Sequence, residues 1–412
     1  MSELTKYKHG LQPFIEAGLA GQLPAIRGRW FGVDPFGVTN GDSPVEMGLA
    51  AVYTTLLDAY NACTDGVGDG IVLFSGGTGT SSQTTSYLKA SLAWSKSGIT
   101  MFGVSSGTRL YGRARIANVE VTTGASTVLA FVQGAAPVKD KITRTTGSFI
   151  TDGFVAGQML RVNTTGNGAD GTAFVIGTVE ALTLTLTSSD TLVTETAGAA
   201  GSSTVNSYNA EMIVVSGHNN AFINVHVGNF SSDAAAVGCL KVTGNRNAFV
   251  NCHFIGAGHA TPAAVATAYD LELNAAQETT FERCVFGTDT IIRAATNGNI
   301  RFDTNVWRSR FYGCEVISHS DTSTKGAILC ADATGLEGVQ IFDHCQFINW
   351  NVNGIGNIAS LFIGTKPTSG AILLHEPAVV GYTAIDSVGG NDMVYVAGYA
   401  VAAGAGGLST TV

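Results

Sequence analysis

The chain has 412 residues, a formal net charge of −9 and only 13% charged residues. Its 52 glycines against 8 prolines, with abundant Thr, Ser, Ala and Val, suit short strands joined by tight turns and argue against long amphipathic helices. No stretch clusters Lys and Arg densely enough to track a phosphate backbone, which argues against a nucleic-acid partner, and no apolar run reaches the ~18–20 residues of a membrane span.

Residues 1–33 come first. The start, Met1 to Lys8, lacks the apolar stretch of a secretory signal, which predicts synthesis in a cytoplasm. Phe14, Ile15, Leu19, Trp30 and Phe31 follow, with Lys6, Lys8, Arg27 and Arg29 among them. So short a segment cannot bury a core of its own. It is predicted to be an anchoring arm that binds another subunit, or else to pack back on its own chain.

Residues 34–117 are predicted to hold a helix and the first strands. The helix is expected over 43–64. Ser43 is the N-cap, Pro44 the first helical residue, and Glu46 completes a capping box. Val45, Leu49, Val52, Leu56, Leu57 and Tyr60 follow at helical spacing. Gly66 to Gly70 stop it. Ile71–Phe74 and Ile99–Gly103 are expected strands.

Residues 118–208 show no such pattern and are predicted to form an inserted β-barrel or sandwich. Strands are expected at Gly147–Phe154, Gln158–Val162 and Leu182–Leu186, the last alternating Leu with Thr. Such a module contacts neighbours or carbohydrate, or serves as a spacer.

Residues 209–395 carry an internal repeat, Phe-x-x-Cys-x-Phe. It appears at Phe249–Phe254 and Phe281–Phe286, then at Phe311–Val316 and Phe342–Phe347, with a weaker copy at Phe222–Val227. The fourth positions, 225, 252, 284, 314 and 345, are spaced by 27, 32, 30 and 31 residues. Cys239–Val242, Asp270–Leu273 and Ile328–Ala331 mark a second element per period, and Gly-Ala-Ile-Leu recurs at 326–329 and 370–373. Each period therefore holds at least two strands.

Strand residues alternate faces. Cys252 and Phe254 share a face, while Phe249 has the opposite parity. All three turn inward only if the chain bends between them, at Asn251. Asn tolerates the left-handed backbone such a bend needs, and Gly313 tolerates it better. Arg283 and His344 hold the same place less well. Coils stacked ~4.8 Å apart then align Phe249, Phe281, Phe311 and Phe342, and make an interior ladder of Cys252, Cys284, Cys314 and Cys345. Single cysteines one coil apart lack the paired spacing of a zinc site, so they are predicted as core. Seven cysteines in so long a chain are no disulfide framework.

Chemistry is sparse. Asp270, Glu272, Glu282, Glu315 and Asp343 are the acids expected to point outward. Glu282 and Asp343 share a repeat position two coils apart, roughly 10 Å by the stacking distance, which suits an inverting carboxylate pair. They are the candidate catalytic residues, weighed against plain surface acids. His226 and His253 share a position on adjacent coils and are predicted as surface residues, with metal binding as the alternative. Trp94, Trp307 and Trp350 are candidates for stacking on sugars, or for packing at a rim. No cofactor and no metal ligand set is expected.

A polar segment, a short helix, GDGIVLFSGG at 68–77 and SGITMFGVSSGTRLYGRARI at 97–116 resemble the opening of pectate-lyase-like right-handed parallel β-helix proteins. The resemblance covers 34–117 and 209–395, and is closest to the β-helices of bacteriophage virions. It implies an all-β solenoid whose helix caps the open end. It also implies a homotrimer partnered by other virion proteins, located in the virion after synthesis in the host cytoplasm. Residues 396–412, rich in Ala and Gly, resemble a tail that docks on a neighbour. The function expected is a non-enzymatic structural protein, a capsid decoration or short spike anchored by its arm. The alternative is a tailspike that binds or cleaves host surface polysaccharide as a hydrolase or lyase.

Overall fold

A computed structural model describes residues 28–35, 48–75, 84–105, 113–123, 127–164, 171–196, 203–320, 324–350, 358–386 and 394–397. Three parallel sheets, one of eleven strands and two of eight, run the length of a right-handed parallel β-helix of about nine coils. One coil shows the path. Ala248–Val250 lies in the first sheet, His253–Ile255 in the second and Tyr269–Leu273 in the third, and the chain then re-enters the first sheet at Thr280–Glu282. Each full coil thus has three strands, one more than the repeat made visible, and Ile300–Phe302 is among those it did not mark.

The bend between the first and second sheets is left-handed in every repeat. Asn224, Asn251, Arg283, Gly313, His344 and Glu376 have φ of 58°, 50°, 52°, 57°, 54° and 47°. Each bend N–H reaches the next coil: Asn251 N donates to Glu282 O at 2.8 Å, and His344 N to His375 O at 2.9 Å. Asn251 Nδ2 also donates to Asn224 Oδ1 at 2.9 Å. Inside, Phe222, Phe249, Phe281, Phe311 and Phe342 stack at 4.8, 4.8, 4.8 and 4.2 Å. The thiols of Cys252, Cys284, Cys314 and Cys345 donate to the carbonyls of Phe222, Phe249, Phe281 and Phe311, at 3.3–3.4 Å. Both columns are fully buried, and each Phe contributes roughly 1.5–3 kcal/mol of apolar burial.

Three expectations for the solenoid need correction. Among the described residues of 43–64 the helix spans only Leu56–Ala62, with Thr55 as N-cap, and Ala51–Tyr53 is a strand of the first sheet. Ser43, Pro44 and Glu46 lie outside the described residues. The β-branched Thr54 and Thr55 favour an extended entry, and Thr55 caps by accepting from Asp58 N. Trp30 and Phe31 do not belong to an arm. They lie in the strand Trp30–Val33, paired with Ala51–Tyr53 and Gly70–Ser75, and Phe31 is buried. Phe14, Ile15 and Leu19 lie outside the described residues. The recurring Gly-Ala-Ile-Leu is not one coil position, because Ile328–Cys330 belongs to the third sheet and Ala371–His375 to the first.

The insertion is a six-stranded antiparallel sheet with its own core, built on Phe131, Ile142, Phe149, Leu160, Phe174 and Leu184. Phe149–Asp152, expected within a strand, is a helical turn. Ser148 caps its start and Gly153, at φ 100°, ends it. The Arg161 guanidinium clasps Asp233 of the solenoid at 2.7 and 2.9 Å. Among the described residues no helix is long and apolar enough to cross a membrane.

Candidate functional site

The outward face of the first sheet follows from the same parity that buries its Phe column. Residues on either side of each buried Phe, and of Leu374 on the last of these coils, face outward. They are Thr280 and Glu282, Arg310 and Tyr312, Ile341 and Asp343, and Leu373 and His375 on successive coils. Two groupings on this face have chemical content, one at each edge.

Trp307 and Arg308 lie in the turn that enters the sheet. Arg308 adopts φ 53°, as do its counterparts Glu278 and Arg246 at 55° and 58°. Their side chains form a column of alternating charge. Arg246 Nε donates to Glu278 Oε2 at 2.7 Å, and Arg308 Nη2 lies 3.2 Å from Glu278 Oε1. The Arg308 guanidinium also stacks 4.7 Å over the Trp307 ring. Gly338 leaves room for the indole, since a Cβ there would sit 2.1 Å from Trp307 Cδ1. With Arg310, Val339 and Ile341 these residues line an open groove of about 450 Å³. Trp307 is 37% exposed. Arg310 is exposed, its N–H donates to Thr279 O at 2.9 Å, and its guanidinium makes no hydrogen bond or ion pair among the described residues. An aromatic surface beside an unengaged guanidinium can hold a sugar ring and its hydroxyl or carboxylate groups.

At the opposite edge, Asp343 and His375 are in-register neighbours on adjacent strands, and His344 and Glu376 occupy the left-handed bends beside them. Asp343 Oδ1 lies 2.7 Å from His344 Nδ1 and 2.6 Å from His375 Nδ1. His344 Nε2 lies 2.5 Å from Glu376 Oε2. Contact with His375, then with His344, holds the Asp343 carboxyl below the usual carboxylate range, and Asp343 raises His375 in turn.

The candidate pair Glu282 and Asp343 does share one column, with Tyr312 on the coil between them. Glu282 pairs with the adjacent Arg283 at 3.4 Å, while Asp343 is engaged by two imidazoles. Held ionised, Asp343 is a poor general acid. Two of the acids expected outside are buried. Asp270 bonds Arg293, Asn299 and the Gly256 N–H, and Glu272 sits between Lys241 and Arg301. Trp94 is not available to a sugar, being fully buried between Tyr60 and Phe222. Trp350 is 52% exposed but stands on the second sheet. His226 and His253 stack with centroids 4.6 Å apart, and are half-buried rather than exposed.

His375 and Glu376 were not singled out from the sequence. Their coil does repeat the pattern, but with Leu374, Pro377 and Val379 in place of Phe, Cys and Phe. An apolar position about 32 residues after Phe342 was the available signal.

No protein-family model and no curated protein matches the chain. Among solved structures, a pectin methylesterase from carrot is 11% identical, covering 91% of this chain and 82% of its own, with a TM-score of 0.42. Pectin methylesterase PemA from Erwinia chrysanthemi is 12% identical, covering 90% and 81%, at 0.41. A tailspike of Pseudomonas phage phi297 is 10% identical, covering 83% and 72%, at 0.30. At these values the likenesses assign neither an activity nor an origin.

Proposed function

We propose that this chain is a glycan-recognising β-helix of a phage virion, of the receptor-binding or tailspike type, acting as a homotrimer on a host surface polysaccharide. The observation that carries glycan recognition is the open groove at Trp307, where an exposed indole stands beside the unengaged Arg310 guanidinium. Recognition sites concentrate their energy in such aromatic and Arg anchors. The Arg selects hydroxyl-rich or carboxylate-bearing chains, and the flat side of a solenoid accommodates several sugar units in a row. The virion setting and the trimer rest on the resemblance of the sequence to phage β-helices. Capsid decoration depended on an N-terminal arm, and two of its five nominated residues lie in the first coil.

Binding of the full chain to a panel of purified acidic and neutral bacterial surface polysaccharides tests this directly. Binding to at least one acidic member is expected, with Trp307→Ala and Arg310→Ala each weakening it roughly tenfold or more. Trp350→Ala, on another sheet, is expected to leave it unchanged. A panel without a binder, or Trp307→Ala binding like wild type, overturns the assignment. If the bound polysaccharide is also shortened, and Glu282→Ala stops the shortening, the face is hydrolytic as well.

A further inference from the structure

Asp343, His344 and His375 offer one carboxylate oxygen and two imidazole nitrogens, all within 4.8 Å of one another. We propose that this cluster is a binding site for a divalent transition-metal ion of the zinc class, with three protein ligands and one position open to water or to an incoming ligand.

The donor set argues for this class. Two imidazoles and one carboxylate suit Zn²⁺ and its neighbours, whereas Ca²⁺ and Mg²⁺ take oxygen ligands. Three protein donors leave a tetrahedral ion its fourth position.

The placement is set by backbone rather than by chance approach of long side chains. Asp343 and His375 face each other across neighbouring strands. His344 is fixed at its bend by the bond from its N–H to His375 O at 2.9 Å, and Glu376 by one to Ala397 O at 2.9 Å. The bends of earlier coils carry Asn224, Asn251, Arg283 and Gly313. Only here among these bends does His stand beside Glu.

Glu376 is the independent observation. Its carboxylate lies 2.5 Å from His344 Nε2. That bond holds a proton on Nε2, so an incoming ion need displace only the Nδ1 proton that His344 directs at Asp343 for Nδ1 to coordinate. A carboxylate on the far nitrogen of a ligating histidine is the recurring support of zinc sites. Bonds of ~2.0–2.1 Å to a tetrahedral ion separate the ligand atoms by about 3.3 Å. The present 2.6–2.7 Å contacts must open by well under 1 Å. Half-exposed side chains make that adjustment by rotation.

The test uses the full chain without a polyhistidine tag. Titration with Zn²⁺ by calorimetry is expected to show one ion bound per chain. Co²⁺ should give the intense visible bands of a four- or five-coordinate site. Asp343→Asn and His375→Ala are each expected to weaken binding at least a hundredfold, and Glu376→Gln about tenfold. His259→Ala should change nothing. Zinc is also expected to raise the thermal midpoint of wild type and not that of His375→Ala, which covers a variant that folds poorly. Absence of saturable Zn²⁺ binding in wild type, or binding undiminished in His375→Ala, overturns the proposal.

Discussion

Stacked coils place His226 directly over His253 on the second sheet. Burial, then the neighbouring His253 and Arg115, push His226 down from 6.5 to about 3. Its Nε2 has no hydrogen-bond partner, so nothing local favours the charged ring. The unfolded chain takes up this proton near pH 6.5, and the folded chain only near 3. Between those values the unfolded state binds more protons, so stability falls as pH falls. Thermal midpoints measured from pH 7 to 4 are expected to drop less steeply for His226→Gln than for wild type. Parallel curves would mean that His226 carries no such penalty. Burial also holds the Cys63 and Cys330 thiols in the protonated, unreactive form. Cys63 is pushed up to about 12 and Cys330 to about 11, consistent with cysteines that pack rather than react.

At the scale of the element, the turn between the first two sheets decides how a coil closes. Only one of its six positions is Gly, so most copies hold an L-residue in a conformation costing roughly 1–2 kcal/mol. Asn reduces that cost and adds hydrogen bonds. Asn251 donates to Asn224 Oδ1 and accepts from Arg113 Nη2 at 3.0 Å. Asn251→Ala loses both the conformational tolerance and these bonds. It is expected to destabilise by about 1–2 kcal/mol, seen as a lower thermal midpoint, and Asn251→Gly by less. If Ala and Gly behave alike, the hydrogen bonds rather than the backbone carry the effect. The helix Leu56–Ala62 shows a contrasting case. Apolar spacing predicts a helix over 43–64, and among the described residues the structure forms it only at Leu56–Ala62. Leu49 and Val52 instead pack against Val72 and Phe74 on the outer side of the first sheet, so apolar residues at helical spacing served a strand.

At the scale of the molecule, solenoid and insertion have separate cores. The ends of the insertion lie side by side, with Ser207 N donating to Val121 O at 2.7 Å. Replacing 122–206 by two glycines is therefore expected to leave a folded β-helix with the strand content of the three parallel sheets, as read by circular dichroism. Loss of cooperative unfolding would show that the Arg161–Asp233 clasp and its neighbours are required. Most of the solenoid was legible in the sequence because each coil lies on the last. A residue recurring near every 30 positions meets its own counterpart, so spacing alone predicts the Phe column, the Cys column and the left-handed bends. The edges of the face were not legible in this way. Trp307 and Arg310 meet Gly338, Val339 and Ile341 of the next coil across turns whose lengths vary. Asp343 meets His375, and His344 meets Glu376, only once Leu374 is aligned under Phe342, and that copy of the repeat has lost its Phe and Cys. Sequence by itself determined the coil, since periodic burial needs no knowledge of distant contacts. Which outward side chains gather into a groove or a ligand cluster was decided by tertiary structure, because coil register and turn length, not composition, set the distances between them.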